Sequence, residues 1–121
     1  MIYKFYDTAE ALLNSPNAFL TKSEMPVLSS MVIHDLAKSE EGLEILINNL
    51  GNYDTYLFQY YMLSPIIERL KEPIAQDIKG LAAAFDYDLN RHPDETVFVT
   101  ENQELALTAN LFFGEDSIIL I

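Results

Sequence analysis

Apolar positions along this chain come in short runs whose period changes, and the period indicates the element. Ile2-Tyr3-Lys4-Phe5-Tyr6 is apolar and aromatic and stops at Asp7-Thr8. Such a run, bounded by polar residues, predicts a strand. A helical pattern follows at once over residues 9–14 and breaks at Asn14-Ser15-Pro16-Asn17. Met25-Pro26-Val27-Leu28 predicts a second strand. Ser29-Ser30 then offers an N-cap, because a serine hydroxyl can accept from the unpaired amides of a first helical turn. The helix it opens runs through Met31, Val32, Leu36 and Ala37. Glu40 and Glu41 suit the positive end of a third helix. Its Leu43, Leu46, Ile47 and Leu50 recur at helical spacing as far as Gly51.

The middle of the chain is aromatic. Tyr53 to Met62 favours a strand by composition, although it does not alternate cleanly. Ser64-Pro65 opens a helix with proline at its first position, and that helix stops before Pro73. A longer helix carries Ile74, Ile78, Leu81, Ala82 and Phe85 on one face, with Asp77 near its start. Asn90 to Asp94 is a loop, Thr96 to Val99 a strand, Gln103 to Leu111 a helix closed by Gly114, and Ser117 to Ile121 a last strand. Thr100 and Gln103 have the spacing of a capping box, which makes Asn102 part of a turn. Strands alternating with helices predict an α/β fold in a single domain, residues 1–121. The architecture expected is a three-layer α/β/α, Rossmann-like sandwich with a mostly parallel sheet in the order 3-2-1-4-5.

Composition narrows the class. Half of the 121 residues are hydrophobic, enough for a real core in one domain. No apolar run approaches the ~20 residues needed to span a membrane. No signal peptide is expected ahead of a strand that begins at residue 2. With no cysteine, disulfides and thiolate metal sites are excluded, and a cytoplasmic location fits. Seven Lys and Arg against nineteen Asp and Glu leave a formal charge of −12, with no dense basic cluster of the kind that grips a phosphate backbone. Acids in this excess can gather at a metal site, or form a surface that attracts a basic protein partner. Spreading for solubility accounts for most of them in either case.

The candidate chemistry lies at the strand ends. Asp7 ends the first strand, where open α/β sheets bind their ligands. Asp35 falls in the helix after the second strand, Asp77 near the start of the long helix, and Thr100-Glu101-Asn102 at the end of the fourth strand. In the expected strand order, the first and fourth strands are neighbours. Clustered carboxylates bind hard cations such as Mg2+ or Mn2+ through oxygen. Such ions activate water for phosphodiester displacement.

These stretches carry a resemblance. Phe5-Tyr6-Asp7-Thr8 with Leu12-Leu13, Ser29 to Leu36, Asp77-Ile78 opening an Ala-rich helix, and Val97 to Asn102 before a helix ending Ala109-Asn110-Leu111 together resemble a PIN domain. The similarity is to the PIN-like proteins of phages and of the PhoH-associated type, and it rests on order and spacing from end to end. It implies a metal-dependent endoribonuclease acting on single-stranded RNA with Mg2+ or Mn2+, and a homodimer. Asp7 would be the first acid, with the Thr8 hydroxyl orienting it. Asp35 before Leu36 would be the second, one methylene shorter than the usual Glu. Asp77 would be the third, and Asn102 stands where the family has a fourth acid, two residues after Thr100. Glu101 is adjacent to that position. An amide offers a carbonyl oxygen but no charge, so the match is incomplete. Two other readings stay open. One is a degenerate PIN-like domain serving as an acidic protein-interaction module. The other is an acidic inhibitor that mimics nucleic acid.

Overall fold

The computed structural model describes residues 1–15, 17–20, 22–57 and 78–121. Among the described residues, five strands, β1 (Ile2–Tyr6), β2 (Glu24–Ser29), β3 (Asp54–Tyr56), β4 (Thr96–Thr100) and β5 (Ile118–Leu120), form one sheet in the order β3-β2-β1-β4-β5. Every pairing is parallel. The α-helices among the described residues are α1 (Ala9–Leu13), α2 (Ser30–Leu36), α3 (Glu40–Asn48), α4 (Ile78–Asn90) and α5 (Gln103–Ala109). The helix expected between Ser64 and Pro73, the distal part of the aromatic run, and Asp77 lie outside the described residues.

Successive side chains of a strand point to opposite faces of the sheet, and this alternation builds the layers. Phe5 is in register with Val27 on one side and Phe98 on the other. All three are buried against α4 and α5, through Leu81, Ala82, Leu105 and Ala109. The next residues along, Tyr6, Leu28 and Val99, are buried in a second cluster with Leu12 of α1, Val32 and Leu36 of α2, and Leu46 of α3. The sheet is therefore covered on both faces, as parallel sheets require. Pro26 is tolerated inside β2 because β3 pairs with β2 only from Val27 onward, so the proline faces a single neighbouring strand.

The second strand extends past its apolar run at both ends, because pairing with β1 starts at Ile2–Glu24 and depends on backbone registration. Ser29 closes that strand and caps α2, its hydroxyl accepting from the Val32 amide at 3.3 Å. Tyr87, fully buried in α4, donates its hydroxyl to Asp54 Oδ2 at 2.7 Å and ties the helix to β3. Leu43, Ile47 and Leu50 remain exposed on and beside α3, whose buried residues are Gly42 and Leu46. No described helix is long and apolar enough to cross a membrane.

Two close approaches need glycine. A Cβ on Gly42 would stand 2.1 Å from the Leu36 carbonyl oxygen, so α3 can pass the end of α2 only without a side chain there. A Cβ on Gly80 would stand 2.8 Å from the Asp7 Cβ, so α4 lies directly on the end of β1. Gly42→Ala must push the two helices apart against rigid backbone. We expect it to lower stability by about 1–3 kcal/mol, the usual cost of overpacking, measured by urea denaturation against wild type.

Candidate functional site

The chain leaves β1 toward α1 on one face of the sheet and leaves β4 toward α5 on the other. Two adjacent strands whose connections diverge in this way open a crevice at their carboxyl ends, where doubly wound proteins bind ligands. Asp7 follows β1 at this point, and Glu101 and Asn102 follow β4. The Asp7 amide donates to the Val99 carbonyl at 3.1 Å, which extends the strand pairing to the aspartate.

Asp7 is buried, 8% exposed as a residue. Thr100 Oγ1 donates to its Oδ2 at 2.7 Å and accepts from the Asn102 amide at 3.0 Å. Asp7 Oδ1 is buried and has no hydrogen-bond partner among the described residues. Burial of the charged form pushes the Asp7 carboxyl up to about 6; the Thr100 hydroxyl and the backbone amides of Thr8 and Asp7 oppose this, and the negative charge of Glu101 adds to it. Asp7 lines an open cavity of about 340 Å3 together with Thr8, Glu10, Glu101 and Asn102. Glu101 is exposed and accepts from Asn14 Nδ2 at 2.8 Å through its Oε2.

The expected site residues therefore meet in part. Asp7, Thr8, Glu101 and Asn102 share the cavity, and Thr100 touches Asp7 from below it. Asp35 is not among the lining residues; it lies on α2 with its Oδ1 3.2 Å from Lys38 Nζ, an exposed pair. Asp77 lies outside the described residues. Although Asp7, Glu10 and Glu101 line one cavity, no group of three or more acidic, histidine or cysteine side chains closes to metal-binding distance among the described residues.

Two roles differ from expectation. The Thr8 hydroxyl caps α1, its Oγ1 accepting from the Ala11 amide at 3.1 Å, while its backbone amide favours the charged form of Asp7. The side-chain hydrogen bond to the Asp7 carboxylate comes from Thr100, 93 residues away in sequence. The cap of α5 is Asn102, whose Oδ1 accepts from the Leu105 amide at 3.1 Å, so Thr100 and Gln103 do not form the capping box. The Thr100 hydroxyl does two jobs at once: it donates to the buried Asp7 carboxylate, a strong charge-assisted bond, and accepts from the Asn102 amide. Glu10 and Asn14 escaped the sequence reading: one read as a helix residue, the other as a turn former, and only the fold brings them to this edge.

Fold and site thus define a class: a doubly wound, all-parallel α/β protein with a buried carboxylate at its switch point. No protein-family model, curated protein or solved structure matches the chain.

The Asp7 environment predicts a pH effect. The folded protein holds the proton up to about pH 6, whereas the unfolded chain releases it near 3.8. Between these values the folded state binds more protons, so stability falls as pH rises and stays lower above them. The penalty is about 3 kcal/mol at neutral pH. Asp7→Asn removes the charge and keeps the shape. In metal-free buffer it should be more stable than wild type near neutral pH by about 2–3 kcal/mol, and should lose that advantage below about pH 4. Denaturant melts of both proteins across this range measure the difference; a constant difference at every pH would refute the assignment.

Proposed function

We propose that this protein is a divalent-metal-dependent endoribonuclease of the PIN type, hydrolysing phosphodiesters of single-stranded RNA, with the cytoplasm as its compartment. The observation that carries the reading is Asp7: a buried carboxylate at the switch point, held by Thr100 through one oxygen, with the other oxygen unpartnered beside an open cavity. Leaving a buried acceptor unpaired costs about 1–3 kcal/mol, and a site that binds a cation recovers that cost on binding. The donor set is oxygen throughout, which suits Mg2+ or Mn2+.

Asp7 would hold the ion, with Asp77 and Asp35 as the further acids implied by the resemblance. When bound, such an ion lowers the pKa of water and neutralises developing charge on phosphate oxygens. The chain's own contribution is orientation and dielectric: Thr100 fixes the Asp7 carboxylate, and burial strengthens its field. Asp35 would have to leave Lys38. An exposed pair of this kind is worth about 0.2–1 kcal/mol, so its loss is a minor cost.

A second reading is favoured by Asn102. Its side-chain oxygen is engaged as a helix cap, and an amide stands where the resemblance calls for an acid. This is what a degenerate domain would carry, acting through its acidic surface on a basic protein partner.

Cleavage of a labelled single-stranded RNA separates the two readings. Wild type should cut with Mg2+ or Mn2+ and stop in EDTA, and Asp7→Asn and Asp77→Asn should fall to the level of the chelated enzyme. Cleavage that persists in EDTA and in Asp7→Asn would overturn the metal-dependent reading. Absence of any metal-dependent cleavage by wild type would leave the interaction module.

A further inference from the structure

We infer that the outer face of α3 is a docking site for a cationic, amphipathic helix of a partner protein. The inference is independent of both readings of the Asp7 cavity. The fully buried residues of α3 are Gly42 and Leu46, which hold it against the rest of the fold. Leu43 and Ile47, one turn apart on its solvent side, are 45% and 57% exposed, and Leu50 in the turn that follows is 70% exposed. A surface helix needs one apolar stripe, the one facing the core. Single exposed leucines are ordinary, but α3 carries a second row of large apolar side chains turned to solvent.

The charge beside that row selects the occupant. Glu40, Glu41 and Glu44 are exposed on α3, and none of them forms an ion pair among the described residues. The helix dipole accounts for Glu40 and Glu41, which lie in the first turn. It does not account for Glu44, one turn further on. Glu44 stands four residues from Glu40 and three from Ile47, so helical geometry sets an acidic row alongside the apolar one. Like charges four apart weaken a helix, and a cation supplied from outside relieves them. Lys38, the nearest cation in sequence, lies outside the helix with its Nζ 3.2 Å from Asp35 Oδ1. A second copy of this chain fits poorly, because twofold pairing through this face brings two sets of the same glutamates to one contact, in a protein of formal charge −12. An anionic lipid surface is repelled for the same reason. A helix with apolar residues at i, i+4 and i+7 and Lys or Arg alongside matches both rows at once.

The probe is a synthetic helical peptide with leucines at i, i+4 and i+7 and lysines on the flanking rows, titrated into the isotope-labelled full chain and followed by its amide resonances. The shifts should concentrate on residues 40–50. Ile47→Ser alters an exposed side chain and should weaken binding by about tenfold or more, the scale of an interface hot spot. Glu44→Gln should weaken it less and flatten its salt dependence. Leu107→Ser, at a comparably exposed leucine of α5, should change nothing. The same peptide with glutamates in place of its lysines should bind at least about tenfold more weakly. Absence of binding, shifts spread over the whole acidic surface, or an affinity indifferent to Ile47→Ser would overturn the docking site. Equal binding of the glutamate peptide would overturn the cationic partner. Sedimentation of the wild type alone checks the competing occupant: self-association that Ile47→Ser abolishes would make this face a contact between copies and overturn the inference.

Discussion

β1 is flanked by parallel neighbours on both sides, and most of the molecule follows from that placement. A strand paired on both edges has no backbone group left for solvent, and its side chains must alternate between two buried layers. Phe5 and Tyr6, adjacent in sequence, therefore belong to different cores. The same pairing continues one residue further, through the bond from the Asp7 amide to Val99, and carries a carboxylate into a place that is almost dry. The apolar layers and the buried acid are thus consequences of one ladder of hydrogen bonds.

The acid is costly where it stands. Its burial raises its proton affinity, the Thr100 hydroxyl compensates through one oxygen, and the other oxygen is left without a partner among the described residues. Packing makes the position hard to relax. Gly80 brings α4 to within a Cβ's reach of the Asp7 side chain, so the carboxylate cannot swing toward that helix. The arrangement trades stability at neutral pH for a fixed, buried carboxylate at the carboxyl end of β1. Such a trade is commonly found at sites that bind a ligand rather than at positions selected for folding alone.

Polar side chains near that crevice divide their work between helix ends and the cavity. Thr8 and Asn102 cap α1 and α5, and Thr100 and Asn14 hold the acids. Residues of the same chemical kind thus take opposite roles at one edge of the sheet. Which role each takes depends on the nearest acceptor or donor in three dimensions, which spacing along the chain cannot resolve.

The sequence by itself determined the fold class. Strand-forming runs at Ile2–Tyr6 and Thr96–Thr100, the Ser29 cap and the helical period of α3 are all local signals, because propensity, capping and periodicity act within a few residues. Alternating elements then left a parallel sheet in the order 3-2-1-4-5 as a natural outcome. The candidate position of Asp7 was legible for the same reason, as the residue on which a buried strand ends. Only the tertiary structure decided what surrounds it. Thr100 reaches Asp7 across 93 residues and Asn14 reaches Glu101 across 87, and neither contact leaves a local trace. Asp35 shows the converse: its position after the second strand made it a candidate, yet its carboxylate pairs with Lys38, just beyond the end of α2, because a solvated carboxylate pairs with a cation three residues on. Site chemistry depends on distances between segments that the sequence leaves far apart, and those distances are set by packing.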